Sequence, residues 1–131
     1  MLASRPLVAF VTVADRDQAR EFYEHTLGLP LVEDSPFALV FDALGTTLRV
    51  AISPDASPAP YTVLGWTVPD IATAVVDLRS RGAAMSRFPG MAQDDDGIWT
   101  APGGARVAWF TDPHGNVLSL TELPTDQTRS P

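Results

Sequence analysis

The chain has 131 residues, 45% apolar and 19% charged, with a formal net charge of −7, which suits one globular domain that buries a core without staples. The acidic balance and the lack of any Lys/Arg run exclude a nucleic-acid surface. The absence of cysteine excludes disulfides, zinc–thiolate sites and thiol nucleophiles.

The first element in chain order is the apolar, β-branched run Leu7–Val13, which predicts a strand. Preceded by Arg5, it is also the one feature that resembles a targeting signal. It is too short for a signal-peptide core and has no small-residue cleavage site. No stretch approaches the roughly 18 apolar residues of a membrane span, so the expected setting is cytoplasmic, with neither membrane nor nucleic acid as partner. Asp15 and Gln18 have the spacing of a capping box that opens a helix. Ala19, Phe22, Tyr23 and Leu27 follow at helical spacing, and Gly28 sits where a helix-ending glycine belongs. Phe37–Asp42 and Thr47–Ile52 predict two strands around a turn at Leu44-Gly45. Residues 53–60 form a Pro/Ser/Ala-rich connector.

The pattern then recurs. Thr62–Val68 predicts a strand. Asp70 is placed to cap a second helix with Ile71, Ala74, Val75 and Leu78 on one face, and Gly82 closes it. Ile98–Thr100, Ala105–Phe110 and Asn116–Glu122 predict three more strands. Val13-Ala-Asp15 and Val68-Pro-Asp70 lie 55 residues apart, and Asp42-x-x-Gly45-x-x-Leu48 matches Asp112-x-x-Gly115-x-x-Leu118 at a separation of 70. Such self-similarity marks a duplicated strand–helix–strand–strand–strand unit. Unit one spans about 6–53, a linker 54–60 and unit two about 61–123, with a flexible polar tail over 124–131.

Val13-x-Asp15, Phe22-Tyr23, Leu27-Gly28-Leu29 and Phe110-Thr-Asp112-Pro113-His-Gly115-Asn116 together resemble the glyoxalase/bleomycin-resistance/dioxygenase superfamily over roughly residues 6–123. The residues themselves read as structural. The two aromatics cover a sheet, and Asp112–Asn116 is a turn in which Pro113 presets φ and Gly115 supplies a positive φ. The resemblance implies an α+β fold in which two tandem βαβββ units form one curved mixed sheet, a cup with helices on its outer face. It also implies where metal ligands stand in metal-binding members. A His usually precedes the Val-x-Asp aspartate by seven residues, and a Glu usually follows the turn aspartate by seven. Those positions, with the repeat supplying one of them, are Val8, Arg49, Val63 and Ser119. A divalent ion needs carboxylate or imidazole donors, so the expectation is no metal and no cofactor.

His25 reads as a solvent-facing residue at a helix C-terminus and His114 as a turn residue. Asp94–Asp96 reads as a solvated acidic loop, because the sequence after Gly97 does not continue a calcium-binding pattern. Strand alternation sends Trp66 and Phe110 to the helix side and Phe10, Thr12, Gly65 and Thr67 to the cup. By the same rule Trp109, Ser119 and Thr121 face the cup, with Trp99 near its mouth. For the two tryptophans, ligand wall and plain core remain equal alternatives. The candidate ligand-binding set is therefore Phe10, Thr12, Arg49, Thr67, Trp99, Trp109, Ser119 and Thr121, with apolar walls and few polar anchors. Arg49 would face a carboxylate of the chain or an anionic group of a ligand. The expected function is metal-free binding of an aromatic or amphipathic small molecule, of the drug- or metabolite-binding kind. A lyase, isomerase or dioxygenase-like enzyme of the same superfamily is the alternative. A homodimer is expected, because curved sheets leave strand edges to cover and two-fold pairs are the commonest assemblies.

Overall fold

In the computed structural model, which describes residues 1–125, the opening apolar run forms β1 (Val8–Val13). Its alternation is visible as burial: Val11 and Val13 are in the core, whereas Phe10 is 62% exposed. Asp15 caps the following helix, α1 (Arg16–Arg20), by accepting a hydrogen bond from the Gln18 N–H at 3.0 Å. The helix then widens over Glu21–Thr26 into a π-helical turn, in which the Leu27 N–H donates to the Phe22 carbonyl five residues back, at 2.9 Å. The wider turn seats the adjacent aromatics Phe22 and Tyr23 side by side in the core. Their rings meet edge to face at 5.1 Å.

Three strands complete this unit: β2 (Leu31–Asp34), β3 (Ala38–Ala43) and β4 (Thr46–Ile52). They form a four-stranded sheet in the order β1-β4-β3-β2, with β1 parallel to β4 and the other pairs antiparallel. The β2 strand has no counterpart among the expected elements. It is short and mostly exposed, and its charged half hides the alternation that reveals a strand. Phe37 stands before β3 rather than in it, because the Ser35 hydroxyl accepts from the Phe37 and Ala38 N–H groups and closes a turn there. Tyr23, Phe41, Leu39, Leu48 and Val50 are sealed between helix and sheet. Asp34 anchors the edge strand to the helix by pairing with Arg16 and with Arg20.

The second unit repeats the plan with β5 (Thr62–Thr67), α2 (Ile71–Ser80), β6 (Ala84–Met85), β7 (Trp99–Thr100), β8 (Arg106–Thr111) and β9 (Val117–Glu122). Its sheet runs β5-β9-β8-β6, with β7 also on β8, and β5 is parallel to β9. The two-residue strand β6 was likewise not legible in the sequence. Asp70 caps α2 through the Thr73 hydroxyl and N–H, and these two bonds hold its carboxyl below the ordinary carboxylate range. This capping stabilisation is present above the unfolded carboxyl pKa and is lost as pH falls through the lower folded value. Gly82, with φ +95°, ends the helix. The Ala83 N–H returns to the Leu78 carbonyl and the Gly82 N–H to the Arg79 carbonyl, both at 3.0 Å, the paired bonds of a Schellman ending. Ile71, Val75 and Leu78 are buried on α2, and Ala108, Phe110, Leu118 and Leu120 are buried on β8 and β9, the strands that α2 contacts. Trp66 is on this helix side, stacked on Phe110 at 6.4 Å, but is half-buried rather than sealed.

The chain divides into a unit of Met1–Ala59 with Pro113–Asn116 and a unit of Pro60–Asp112 with Val117 onward. The strands thus lie in two hydrogen-bonded sheets, one per unit. The Pro113–Asn116 turn belongs with the first unit, where the Asn116 side-chain amide, 3% exposed, donates to the Thr12 carbonyl at 2.8 Å. Of the expected flexible tail, 126–131 lie outside the described residues. Among the described residues, no helix is long and apolar enough to cross a membrane.

Candidate functional site

Five of the expected site residues belong to the second unit, and its register sets their arrangement. On the sheet face away from α2, Gly65, Ser119 and Trp109 form one row across β5, β9 and β8. Thr67, Thr121 and Val107 form the next row, continued by Trp99 on β7. Trp99 and Trp109 are therefore diagonal neighbours, with ring centroids 6.2 Å apart and planes tilted by 37°. Both are half-buried, so they are neither sealed core nor free surface.

A third ring completes the cluster. Phe88 meets Trp109 edge to face at 5.4 Å and stays 37% exposed. The Gln93 side chain fixes the loop that carries it. Its amide donates to the Ser86 and Gly97 carbonyls at 3.1 and 2.8 Å, and its oxygen accepts from the Phe88 N–H at 2.8 Å. Sequence reading missed Phe88 and Gln93. The available signal was a lone aromatic in a Pro/Gly-containing loop, which does not say which strand the loop will meet.

Ser119 is 9% exposed, and its hydroxyl makes no hydrogen bond to another described residue. Thr67 is exposed and Thr121 half-buried. The second unit thus presents three aromatic rings beside a row of hydroxyls.

Phe10, Thr12 and Arg49 belong to the first unit, on the sheet face away from α1. Phe10 pairs with Arg49, and Arg49 with Val40. The Arg49 side chain is half-buried, without an ion pair or hydrogen bond among the described residues. No carboxylate among the described residues answers it. The first unit also holds a cavity of about 150 Å³ lined by Val13, Ala14, Asp15, Gln18, Ala19, Pro113 and His114. It contains none of the expected ligand residues, and drug-sized ligands need roughly 300 Å³ or more.

The positions that the family resemblance reserves for metal ligands carry two aliphatic side chains (Val8 and Val63), a guanidinium (Arg49) and a hydroxyl (Ser119). That donor set does not fit a divalent ion. Among the described residues, no three His, Asp or Glu side chains are grouped to hold one. His25 is exposed beside Glu24. In the acidic loop, the Asp94 carboxylate accepts from the N–H groups of Asp96 and Ile98, and Asp96 pairs with Arg79. These carboxylates shape the loop.

A family model described as Glyoxalase/Bleomycin resistance protein/Dioxygenase superfamily matches residues 6–120. Among solved structures, a member of that superfamily from Sphaerobacter thermophilus is 24% identical, with a TM-score of 0.73 over 94% of this chain and 100% of that one. A glyoxalase family protein from Enterococcus faecalis is 17% identical, with a TM-score of 0.75 over 93% and 100%. TnmS3, an antibiotic binding protein from a Streptomyces species, is 25% identical, with a TM-score of 0.69 over 95% and 99%. No curated protein matches the chain.

Proposed function

Because the chain belongs to the glyoxalase/bleomycin resistance/dioxygenase superfamily, we propose that it uses this fold to bind an aromatic or amphipathic small molecule without a metal. The observation that carries this reading is the cluster of half-buried Trp99 and Trp109 with the more exposed Phe88, beside the hydroxyls of Ser119 and Thr121. Aromatic faces supply large contact area at little conformational cost, and hydroxyls fix orientation. The antibiotic-binding Streptomyces protein supports the same reading. In the first unit, Arg49, without a counter-charge among the described residues, suits an anionic group, because its planar guanidinium pairs with carboxylates and stacks on rings.

The test is isothermal calorimetry with naphthalene, 2-naphthol and 2-naphthoate, which share a ring system and differ in polarity. Binding of at least one below about 100 μM is expected, and absence of binding by all three would refute the reading. Metal-free operation is tested separately. Elemental analysis of purified protein should find well under one zinc, iron, nickel or manganese per chain. A stoichiometric metal that is lost in Ser119→Ala would contradict it.

The assembly we propose is a homodimer in the cytoplasm. The sheet of the first unit ends in β1 and β2 and that of the second in β5 and β6. Exposed strand edges are usually covered by pairing or association. Val8 and Phe10 on β1 are 43% and 62% exposed, and Val32 on β2 is 67% exposed. Light scattering at micromolar concentration should give twice the mass of one chain; the mass of a single chain would refute the dimer.

A further inference from the structure

We propose that Ser119 and Gly65 form the polar subsite of the second unit, which reads a hydroxyl or carbonyl on the edge of an aromatic ligand. This rests on the reading of the aromatic face as a small-molecule site and adds the ligand's chemical class. Glycine inside a strand weakens it by lost packing and added chain entropy, and often marks a place where something approaches closely. Gly65 is in the middle of β5, and its backbone does not adopt the positive φ that would by itself call for glycine. Close approach is the reason that remains. A Cβ built on Gly65 would stand 2.6 Å from the Ser119 Oγ, a separation that real Cβ atoms do not tolerate. The missing side chain of Gly65 is thus what allows the Ser119 hydroxyl to lie where it does.

That hydroxyl is largely buried and has no partner among the described residues, yet its oxygen is not sealed from solvent, so a ligand that displaces water there must answer it. Ser119 is 9% exposed, and no described residue hydrogen-bonds its side chain. Buried polar groups generally have a partner, and a hydroxyl both donates and accepts. On the other side of Ser119, in the same row, is Trp109. Adjacent strands are about 4.8 Å apart, so a ring laid against the indole brings an edge substituent within reach of the hydroxyl. Thr67 and Thr121 are more open to solvent and discriminate less, because water competes for them. The subsite therefore suits phenols, quinones and ring ketones over bare hydrocarbons.

The experiment measures the affinities of 2-naphthol and naphthalene for the wild type, Ser119→Ala and Gly65→Ala by calorimetry, with thermal unfolding as a check on folding. The wild type should prefer 2-naphthol. Ser119→Ala should weaken 2-naphthol about five- to tenfold, the size of one neutral hydrogen bond, and leave naphthalene unchanged. Gly65→Ala should produce the same selective loss by displacing the hydroxyl. If Gly65→Ala does not fold, Ser119→Ala alone decides. Equal weakening of both compounds, or no weakening of either, overturns the subsite while the small-molecule reading stands. If neither compound binds the wild type, the subsite falls, and the small-molecule reading falls with it if 2-naphthoate does not bind either.

Discussion

Replacing Phe41 by alanine should lower the stability of the protein by about 3–5 kcal/mol, the range for removing a fully buried aromatic ring. Phe41 has no exposed surface. Its ring is 5.9 Å from that of Tyr23, and β-pairing sets Leu31 and Leu48 on either side. The void left behind would be walled by helix, π turn and sheet, none of which can collapse into it without breaking strand hydrogen bonds. A domain with 5–15 kcal/mol in total would lose a large share. Urea denaturation should show a much lower midpoint at an unchanged slope. Phe37, four residues earlier and 76% exposed, is the matched control. Phe37→Ala should move stability by no more than about 0.5 kcal/mol. Similar losses in both variants would mean that the core is not where the structure places it.

Binding should depend most strongly on Trp109. It touches Phe88 at 5.4 Å and Trp99 at 6.2 Å, so it is the centre of the cluster and is held in orientation from two sides. Covering about 80 Å² of ring with a ligand contributes roughly 2 kcal/mol at 25 cal/mol per Å². Trp109→Ala should therefore weaken naphthalene and 2-naphthoate alike, by about thirtyfold. Trp109→Phe should recover much of this, since a smaller ring still offers a face. In the first unit, Arg49→Met tests anion recognition by that unit and should weaken 2-naphthoate about tenfold, as expected for loss of a charge-assisted hydrogen bond, while sparing naphthalene. If Trp109→Ala binds all compounds like the wild type, the aromatic cluster is only packing. If Arg49→Met spares 2-naphthoate, the guanidinium plays no part in anion recognition.

Much of this was open to a reading of the chain. The Asp15 and Asp70 caps and the positive-φ turns at Gly82 and Gly115 rest on interactions within a few residues, so composition and spacing reveal them. The duplicated unit shows in the separations of 55 and 70 residues. Strand alternation correctly divided helix-side residues such as Phe110 from Trp109 and Ser119 on the opposite face, because a period of two is a property of the strand alone. The unsuitability of Val8, Arg49, Val63 and Ser119 as metal donors is likewise a matter of side-chain chemistry.

Other features needed the tertiary structure. The π turn arises because Phe22 and Tyr23 must both reach one sheet, a demand set by what they pack against and not by helix propensity. The short strands β2 and β6 exist because a neighbouring strand offers hydrogen bonds; their own sequences carry too little pattern to announce them. The contact of Phe88 with Trp109 depends on how the Gln93 side chain folds a loop. That Gly65 makes room for Ser119 follows from the pairing of β5 with β9. The chain by itself determined which residues turn, cap and alternate, since those preferences are settled over a few bonds. Which side chains meet was decided only in three dimensions, because register between distant strands is chosen by the whole core at once.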